Sequence, residues 1–201
     1  MVDVADKIES ILNDLSEEEQ LQAFLRLKHN FVTEAQKNPT YGFNKPLGQF
    51  VDLMSVLSPQ SYGPRIQNRL IKELGLSPLK ASDNQGDAIN PTENICYEMK
   101  VSIISASNKC LNLVQIRLWQ NVNYICLYYD SSSKKIEVFE LTHEQMVKEC
   151  DLLGSSAHGT KQANEHNRNK EIRFSLKIDE KDEDYRRWKK LYKSNILNHL
   201  I

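Results

Sequence analysis

Three ionisable side chains near the middle of the sequence have the types and the spacing of a metal-dependent hydrolytic site. Glu98 and Lys100 are two residues apart in a segment of alternating character, so both project from one face of a strand. Asp87 lies upstream, before a turn, and can fold back beside Glu98. Two converging carboxylates form an oxygen-rich site that suits Mg²⁺, and a neighbouring lysine can hold or polarise a water for attack on phosphorus.

This arrangement resembles the PD-(D/E)XK superfamily of metal-dependent nucleases. Glu98 and Lys100 match the acid–x–lysine pair, and the family's upstream Pro-Asp dipeptide reads Gly86-Asp87 here. The resemblance implies that Asp87 and Glu98 bind Mg²⁺ and that Lys100 positions or activates the attacking water. Many members place a helix before the acid-bearing hairpin, and this helix sometimes supplies another carboxylate. Glu73 matches that position loosely.

An alternative interpretation of the same pair is an ordinary surface feature. Glu98 and Lys100 on a solvated strand face would form an exposed ion pair, which contributes little to stability. The strand face that carries Glu98 and Lys100 has few apolar side chains, so we expect both residues to be charged and close to water.

A second polar pair follows on the next predicted strand. Gln115 and Arg117 share one face of this strand, opposite Val114, Ile116 and Leu118. If the strand pairs beside residues 95–104, Gln115 can orient the phosphate or the water, and the Arg117 guanidinium can bind a phosphate oxygen. The alternative is a half-exposed strand without a function.

A long polar loop, residues 154–170, contains almost nothing to bury, so packing does not explain its length. Its side chains are of the kinds that hydrogen-bond to base edges in DNA. The predicted DNA-binding residues in it are His158, Lys161, Gln162, Asn164, Asn167 and Arg168. The alternative is a disordered surface segment.

Composition sets wider limits on the function. The chain has 201 residues, with 26 Lys and Arg against 27 Asp and Glu, so any basic surface for nucleic acid must be local. Four widely spaced cysteines include no CxxC pair, which argues against a zinc site and favours reduced thiols. The N-terminus lacks the pattern of a secretory signal, and no stretch is long and apolar enough to span a membrane. We therefore expect a cytoplasmic protein without a membrane partner.

The periodicity of apolar residues predicts helices first and then a sheet. Residues 1–76 are expected to form a helical region packed on the core, in which Ser16 and Glu19 form a capping box between two helices. Residues 77–201 are expected to form the catalytic core, with the polar loop and a C-terminal helix, in one continuous domain. Pro59 and Pro64 are expected to interrupt the chain before a helix over residues 65–74, and a capping box at Thr142 and Gln145 is expected to open another helix. The predicted strands are 95–104, 111–119, 123–129, 136–141 and 171–178, and the third is apolar on both faces, which predicts a covered position. The predicted fold class is α/β: a mixed β-sheet core flanked by helices, restriction-endonuclease-like, with an N-terminal helical part.

Together these features resemble a type II restriction endonuclease across residues 66–178. The resemblance implies Mg²⁺-dependent hydrolysis of double-stranded DNA at a short specific sequence, a homodimer that matches a palindromic target, and a cognate DNA methyltransferase as functional partner. Two alternatives stay open: a structure-selective repair nuclease or resolvase, and a non-catalytic DNA-binding module.

Overall fold

The computed structural model describes residues 10–80, 85–104, 109–157 and 171–197. The chain forms two compact units, residues 1–41 and 42–201. In the first unit, residues 10–13 are helical and helix α1 spans Glu17–Lys37. The capping box predicted at Ser16 is confirmed, because the Ser16 side chain accepts from the Glu19 N–H and the Glu19 carboxylate accepts from the Ser16 N–H.

The second unit contains the remaining helices and all the described strands. Its helices are α2 (Leu47–Met54), α3 (Pro59–Glu73), α4 (His143–Leu152) and α5 (Glu183–Tyr192). Its strands are β1 (Ser77–Pro78), β2 (Ala88–Asn90), β3 (Ile95–Ile104), β4 (Cys110–Ile116), β5 (Asn123–Asp130), β6 (Lys135–Leu141), β7 (Ser156–Ala157), β8 (Ile172–Lys177) and β9 (Lys193–Ser194).

Within the described residues, six strands form one mixed sheet and three strands form a second sheet. The strand order of the larger sheet is β1-β2-β3-β5-β6-β9, and that of the smaller sheet is β4-β8-β7. Strands β3 and β5 run parallel, whereas the other pairs are antiparallel. The predicted mixed sheet flanked by helices is therefore confirmed.

Both faces of the larger sheet are covered. Neighbouring residues of β5 point to opposite faces. Tyr128 joins a buried cluster built from β4, β8, α4 and α5 and centred on Trp188, whereas the Tyr129 hydroxyl donates to Asp52 of α2 at 2.7 Å. Strand β5 was predicted to be covered on both faces from its continuous apolar sequence, and this prediction is confirmed.

One expectation about the elements is wrong, and one condition drawn from the sequence is not met. Pro59 and Pro64 were expected to interrupt the chain before a helix at residue 65, yet α3 begins at Pro59. Proline is tolerated at the first helical position because its missing N–H would have no partner in the helix there. A pairing of β4 beside β3 was the condition set for the roles of Gln115 and Arg117, and this condition is not met, because β4 pairs with β8. No described helix is both long enough and apolar enough to cross a bilayer.

Candidate active site

Glu98 and Lys100 form a close ion pair that is shielded from solvent. Lys100 Nζ lies 2.6 Å from Glu98 Oε1, and only 4% of the Glu98 side chain and 11% of the Lys100 side chain are exposed. Their partners in register on β5 are Tyr124 and Cys126, which are fully buried. The expectation of a water-exposed face is therefore wrong, because β5 and the cluster on that face enclose it. The alternative interpretation, an ion pair exposed on the surface, is wrong for the same reason.

The backbone at Gly86 approaches β3 closely, and this places Asp87 beside the same part of the strand. Gly86 has φ +88°, and a Cβ atom on it would lie 2.6 Å from the carbonyl oxygen of Tyr97. Glycine has no Cβ atom, so the chain can turn here against β3. The Asp87 N–H then donates to the Tyr97 carbonyl at 2.8 Å, and Asp87 Oδ2 accepts from the Met99 N–H at 2.8 Å. These two bonds fix the Asp87 carboxylate beside the middle of β3.

The carboxylates of Asp87 and Glu98 interact electrostatically. Burial, and next the negative charge of Glu98, raises the pKa of Asp87 above its ordinary value, against the opposing effects of the Met99 N–H, Lys100 and Arg117. Glu98 Oε2 is buried and has no hydrogen-bond partner among the described residues. An unpaired buried carboxylate oxygen is costly, and a bound cation would both pair with it and offset the repulsion.

The donor set of this site fits Mg²⁺. The described residues include no group of three or more His, Cys, Asp or Glu side chains arranged to hold a metal ion. Magnesium commonly takes only one or two carboxylates from a protein and completes its coordination with waters and substrate phosphates. Asp87 and Glu98 would therefore hold Mg²⁺ as a pair of oxygen ligands, with the remaining positions left to water and phosphate.

Strand β4 reaches the site through an irregularity in its backbone. The register between β4 and β8 shifts between Leu113 and Ile116, and Gln115 within this shift has φ +54°. This conformation directs the Gln115 carbonyl oxygen to Lys100 Nζ, 2.8 Å away, whereas the Gln115 side chain is exposed. Gln115 was predicted to act through its amide side chain, and the contact that the structure shows is made by its backbone.

Arg117 lies in the electric field of the two carboxylates but is bound elsewhere. Its Nη2 and Nε atoms lie 2.8 and 3.0 Å from Glu171 Oε1. Burial acts to lower the pKa of Arg117, but the hydrogen bond to Glu171 and the charges of Glu98, Glu171 and Asp87 outweigh it and raise this pKa. About one third of the Arg117 side chain is exposed.

Helix α3 contributes a residue to the site, but this residue is Gln67. Glu73, which was predicted as a third metal ligand, pairs with Arg69 of the same helix at 2.6 Å. Gln67 Nε2 donates to the Met99 carbonyl at 2.8 Å and lies 3.5 Å from Asp87 Oδ2. Gln67 was not predicted as a site residue, although its spacing places it on one helix face with the buried Leu70 and therefore near the core.

Tyr124 is a second residue that sequence analysis missed. It pairs in register with Glu98, and its hydroxyl is buried and has no hydrogen-bond partner among the described residues. Burial and the charge of Glu98 raise the pKa of Tyr124, so the phenol stays protonated and keeps a proton to donate. The pairing of Tyr124 with Glu98 could not be predicted from sequence patterns, because it depends on the register between β3 and β5.

A cleft of about 640 Å³ opens beside Lys100 between α3, β3 and β4. Polar side chains of all three elements line it, including Gln67, Asn112 and Gln115. The cleft gives the Lys100 ammonium access to a ligand, whereas Glu98 lies deeper. The predicted DNA-binding residues His158, Lys161, Gln162, Asn164, Asn167 and Arg168 lie outside the described residues.

The comparisons with known proteins add no relative. The sequence matches no protein-family model and no curated protein. The case for a function therefore depends on the geometry of the site.

Proposed function

We propose that this chain is a Mg²⁺-dependent endonuclease with a restriction-endonuclease-like fold. It hydrolyses phosphodiester bonds of double-stranded DNA at a short specific sequence. The observation that supports this proposal best is the buried pair of Glu98 and Lys100 on the strand that also fixes the Asp87 carboxylate, with one oxygen of Glu98 left without a partner among the described residues. A structural ion pair alone does not require a further half-buried carboxylate, yet Asp87 is held against the same strand, where burial and then the charge of Glu98 raise its pKa.

Each of the three side chains has a separate role in this proposal. Asp87 and Glu98 hold Mg²⁺, which when bound neutralises charge on the phosphate and polarises its oxygens. The Lys100 ammonium has three N–H donors, and two of them are used by Glu98 and the Gln115 carbonyl. The third N–H has no partner among the residues that the structure describes, so it can orient a water or a phosphate oxygen in the cleft that Lys100 lines.

Arg117 serves in the proposal as a phosphate-binding residue. A guanidinium can bind a phosphate oxygen with two parallel hydrogen bonds, and here it must first leave Glu171. Before DNA arrives, the guanidinium is bound to Glu171, while the negative charges of Glu98 and Asp87 also act on it. Binding of DNA therefore exchanges one charged partner of Arg117 for another.

The expected partners follow from the same proposal. Double-stranded DNA is the substrate, and a homodimer with two-fold symmetry supplies one site for each strand of a palindromic sequence. A cognate DNA methyltransferase is expected as a functional partner that protects the host sequence. The polar loop, residues 154–170, contacts bases in this proposal.

The decisive experiment incubates the purified protein with phage DNA and Mg²⁺ and examines the products on a gel. A reproducible ladder of discrete fragments, absent when a chelator is added, is the expected result. Cleavage of branched DNA alone would favour a structure-selective repair nuclease or resolvase. Binding of DNA without any Mg²⁺-dependent cleavage would favour a non-catalytic DNA-binding module and overturn the proposal.

A further inference from the structure

Helix α1 carries an uncovered apolar stripe along its first two thirds. Four large apolar side chains there are between 48% and 67% exposed: Leu21, Phe24, Leu25 and Leu27. Further along the helix the corresponding face is covered, because Phe31 packs edge-on against Tyr41 and Ala35 is buried. Single exposed apolar residues are ordinary, but four within seven residues of one helix are not.

The exposed stripe has the spacing of a helix-pairing seam. Residues 17, 21, 24 and 28 follow one another at intervals of four, three and four, which places them on one line along the helix. Leu21 and Phe24 form the centre of this line, and Glu17 and Lys28 stand at its two ends. Leu25 and Leu27 widen the apolar surface on either side. The seam is about 17 Å long, which is short for a helix pair.

The two charges at the ends of the seam select an orientation for a partner helix with the same sequence. In an antiparallel pair, Leu21 lies opposite Phe24 of the partner subunit, and Glu17 then lies opposite Lys28 of the partner subunit. In a parallel pair, each charge would instead lie opposite its own copy. Charge complementarity therefore favours the antiparallel pair and disfavours the parallel one.

We propose that α1 pairs with α1 of a second copy of this chain in antiparallel orientation. The contact is isologous: Leu21 meets Phe24 of the partner subunit, Phe24 meets Leu21 of the partner subunit, and both ends of the seam carry an opposite-charge pair. Because the seam is short, the dimer belongs to the small, reversible class of interfaces and dissociates on dilution. This inference stands on α1 alone and does not depend on the proposed nuclease activity.

Charge reversal at the ends of the seam tests the proposal with the full-length protein in sedimentation velocity over a wide concentration range. We expect the wild type to show a reversible monomer–dimer equilibrium. K28E and E17K are each expected to raise the dimer dissociation constant at least about tenfold, because each places like charges opposite one another at both ends. The double variant E17K/K28E restores opposite charges at both ends, so its dissociation constant returns close to that of the wild type.

The matched control is R26E, because Arg26 lies on the opposite side of α1 from the seam. It makes the same charge change as K28E two residues away and is expected to leave dimerisation unchanged. Recovery in the double variant also separates lost pairing from a damaged helix, since a damaged helix would not recover. A wild type that stays monomeric at every concentration, a K28E variant that dimerises like the wild type, or a double variant as weak as the single ones overturns the proposal.

Discussion

The backbone carbonyl of Gln115 accepts a hydrogen bond from Lys100 Nζ across 2.8 Å, although the two residues belong to different sheets. The contact exists because Gln115 adopts φ +54° where β4 slips in register against β8. Together with the bond to Glu98, it holds the lysine side chain in one position at the mouth of the cleft. An ammonium fixed by two partners directs its remaining N–H group to a defined point.

Substitution of Lys100 by alanine is expected to abolish cleavage and to preserve DNA binding. The ammonium orients the water or the phosphate but contributes only one of the charges that attract DNA. We expect the cleavage rate to fall at least about 100-fold, since groups of this kind typically contribute that much. The measurements are a single-turnover cleavage assay with Mg²⁺ and a binding assay with Ca²⁺.

The control for this substitution is Lys148→Ala on the exposed side of α4, which removes the same charge away from the site. It is expected to cleave at the wild-type rate. If the Lys100→Ala variant cleaves DNA at the wild-type rate in the presence of Mg²⁺, the lysine has no role in the mechanism.

Asp87→Asn is expected to weaken Mg²⁺ binding at least about tenfold without lowering the thermal stability of the metal-free protein. The asparagine amide oxygen can still accept from the Met99 N–H, while the repulsion between residue 87 and Glu98 disappears. Isothermal titration with Mg²⁺ and a melting curve with and without the ion measure both effects. In the wild type we expect Mg²⁺ to raise the melting temperature, because the ion binds only the folded site.

Asp151→Asn, at an exposed position of α4, is the matched control and is expected to bind Mg²⁺ like the wild type. Equal Mg²⁺ affinities of Asp87→Asn and the wild type would mean that Asp87 is not a ligand.

Gly86→Ala is expected to destabilise the protein and to disturb the site together. A Cβ atom here would lie 2.6 Å from the Tyr97 carbonyl oxygen, in a backbone conformation with φ +88° that L-residues rarely adopt. The strand and Asp87 must shift apart, at a cost of about 2 kcal/mol or more in the free energy of unfolding. Urea denaturation and the Mg²⁺ titration measure the two consequences.

Gly48→Ala in α2 is the control, because a Cβ atom on Gly48 would meet nothing within 4 Å. This substitution is expected to raise the free energy of unfolding by up to about 1 kcal/mol, since alanine favours a helix. A Gly86→Ala variant as stable as the wild type would show that the chain can turn against β3 without glycine.

The local elements were predictable because their patterns are local. The alternation through residues 95–104 is β3, and the capping box at Thr142 and Gln145 begins α4 as predicted. The two capping boxes fix helix starts within a few residues, so no distant contact is needed to find them. The spacing of Glu98 and Lys100 likewise sufficed to place both side chains on one face.

The parts that depend on distant contacts were not predictable. Strand β4 lies in the second sheet because it pairs with β8, which follows it by more than fifty residues in the sequence. Glu98 is buried where β3 pairs with β5, and the contact of Gln115 comes from a backbone irregularity rather than from its side chain. Glu73 differs from these cases, because its partner is local: Arg69 lies one turn before it on the same helix and pairs with it.

Glu149 of α4 has a carboxylate that is completely buried beneath α5. Its Oε2 accepts from Arg187 Nη2 at 2.7 Å and its Oε1 from the Tyr192 hydroxyl at 2.6 Å. Burial acts to raise the pKa of Glu149, but the hydrogen bonds from Arg187 and Tyr192 outweigh it and hold this pKa below the ordinary value of 4.5. The folded state therefore favours the charged form of Glu149 more than the unfolded state does.

A carboxyl group whose pKa is lowered by folding stabilises the protein above its unfolded-state pKa, and this contribution is lost as the pH falls through the lowered pKa. Glu149→Gln is therefore expected to lower the free energy of unfolding by about 2 kcal/mol at pH 7. The difference from the wild type should shrink below pH 4.5, where the wild-type carboxyl also loses its charge on unfolding and then in the folded state. Urea denaturation at pH 7 and at two acidic values measures this, with Glu144→Gln on the exposed side of α4 as the control. A difference that stays constant across these pH values would show that the charge of Glu149 does not stabilise the contact between α4 and α5.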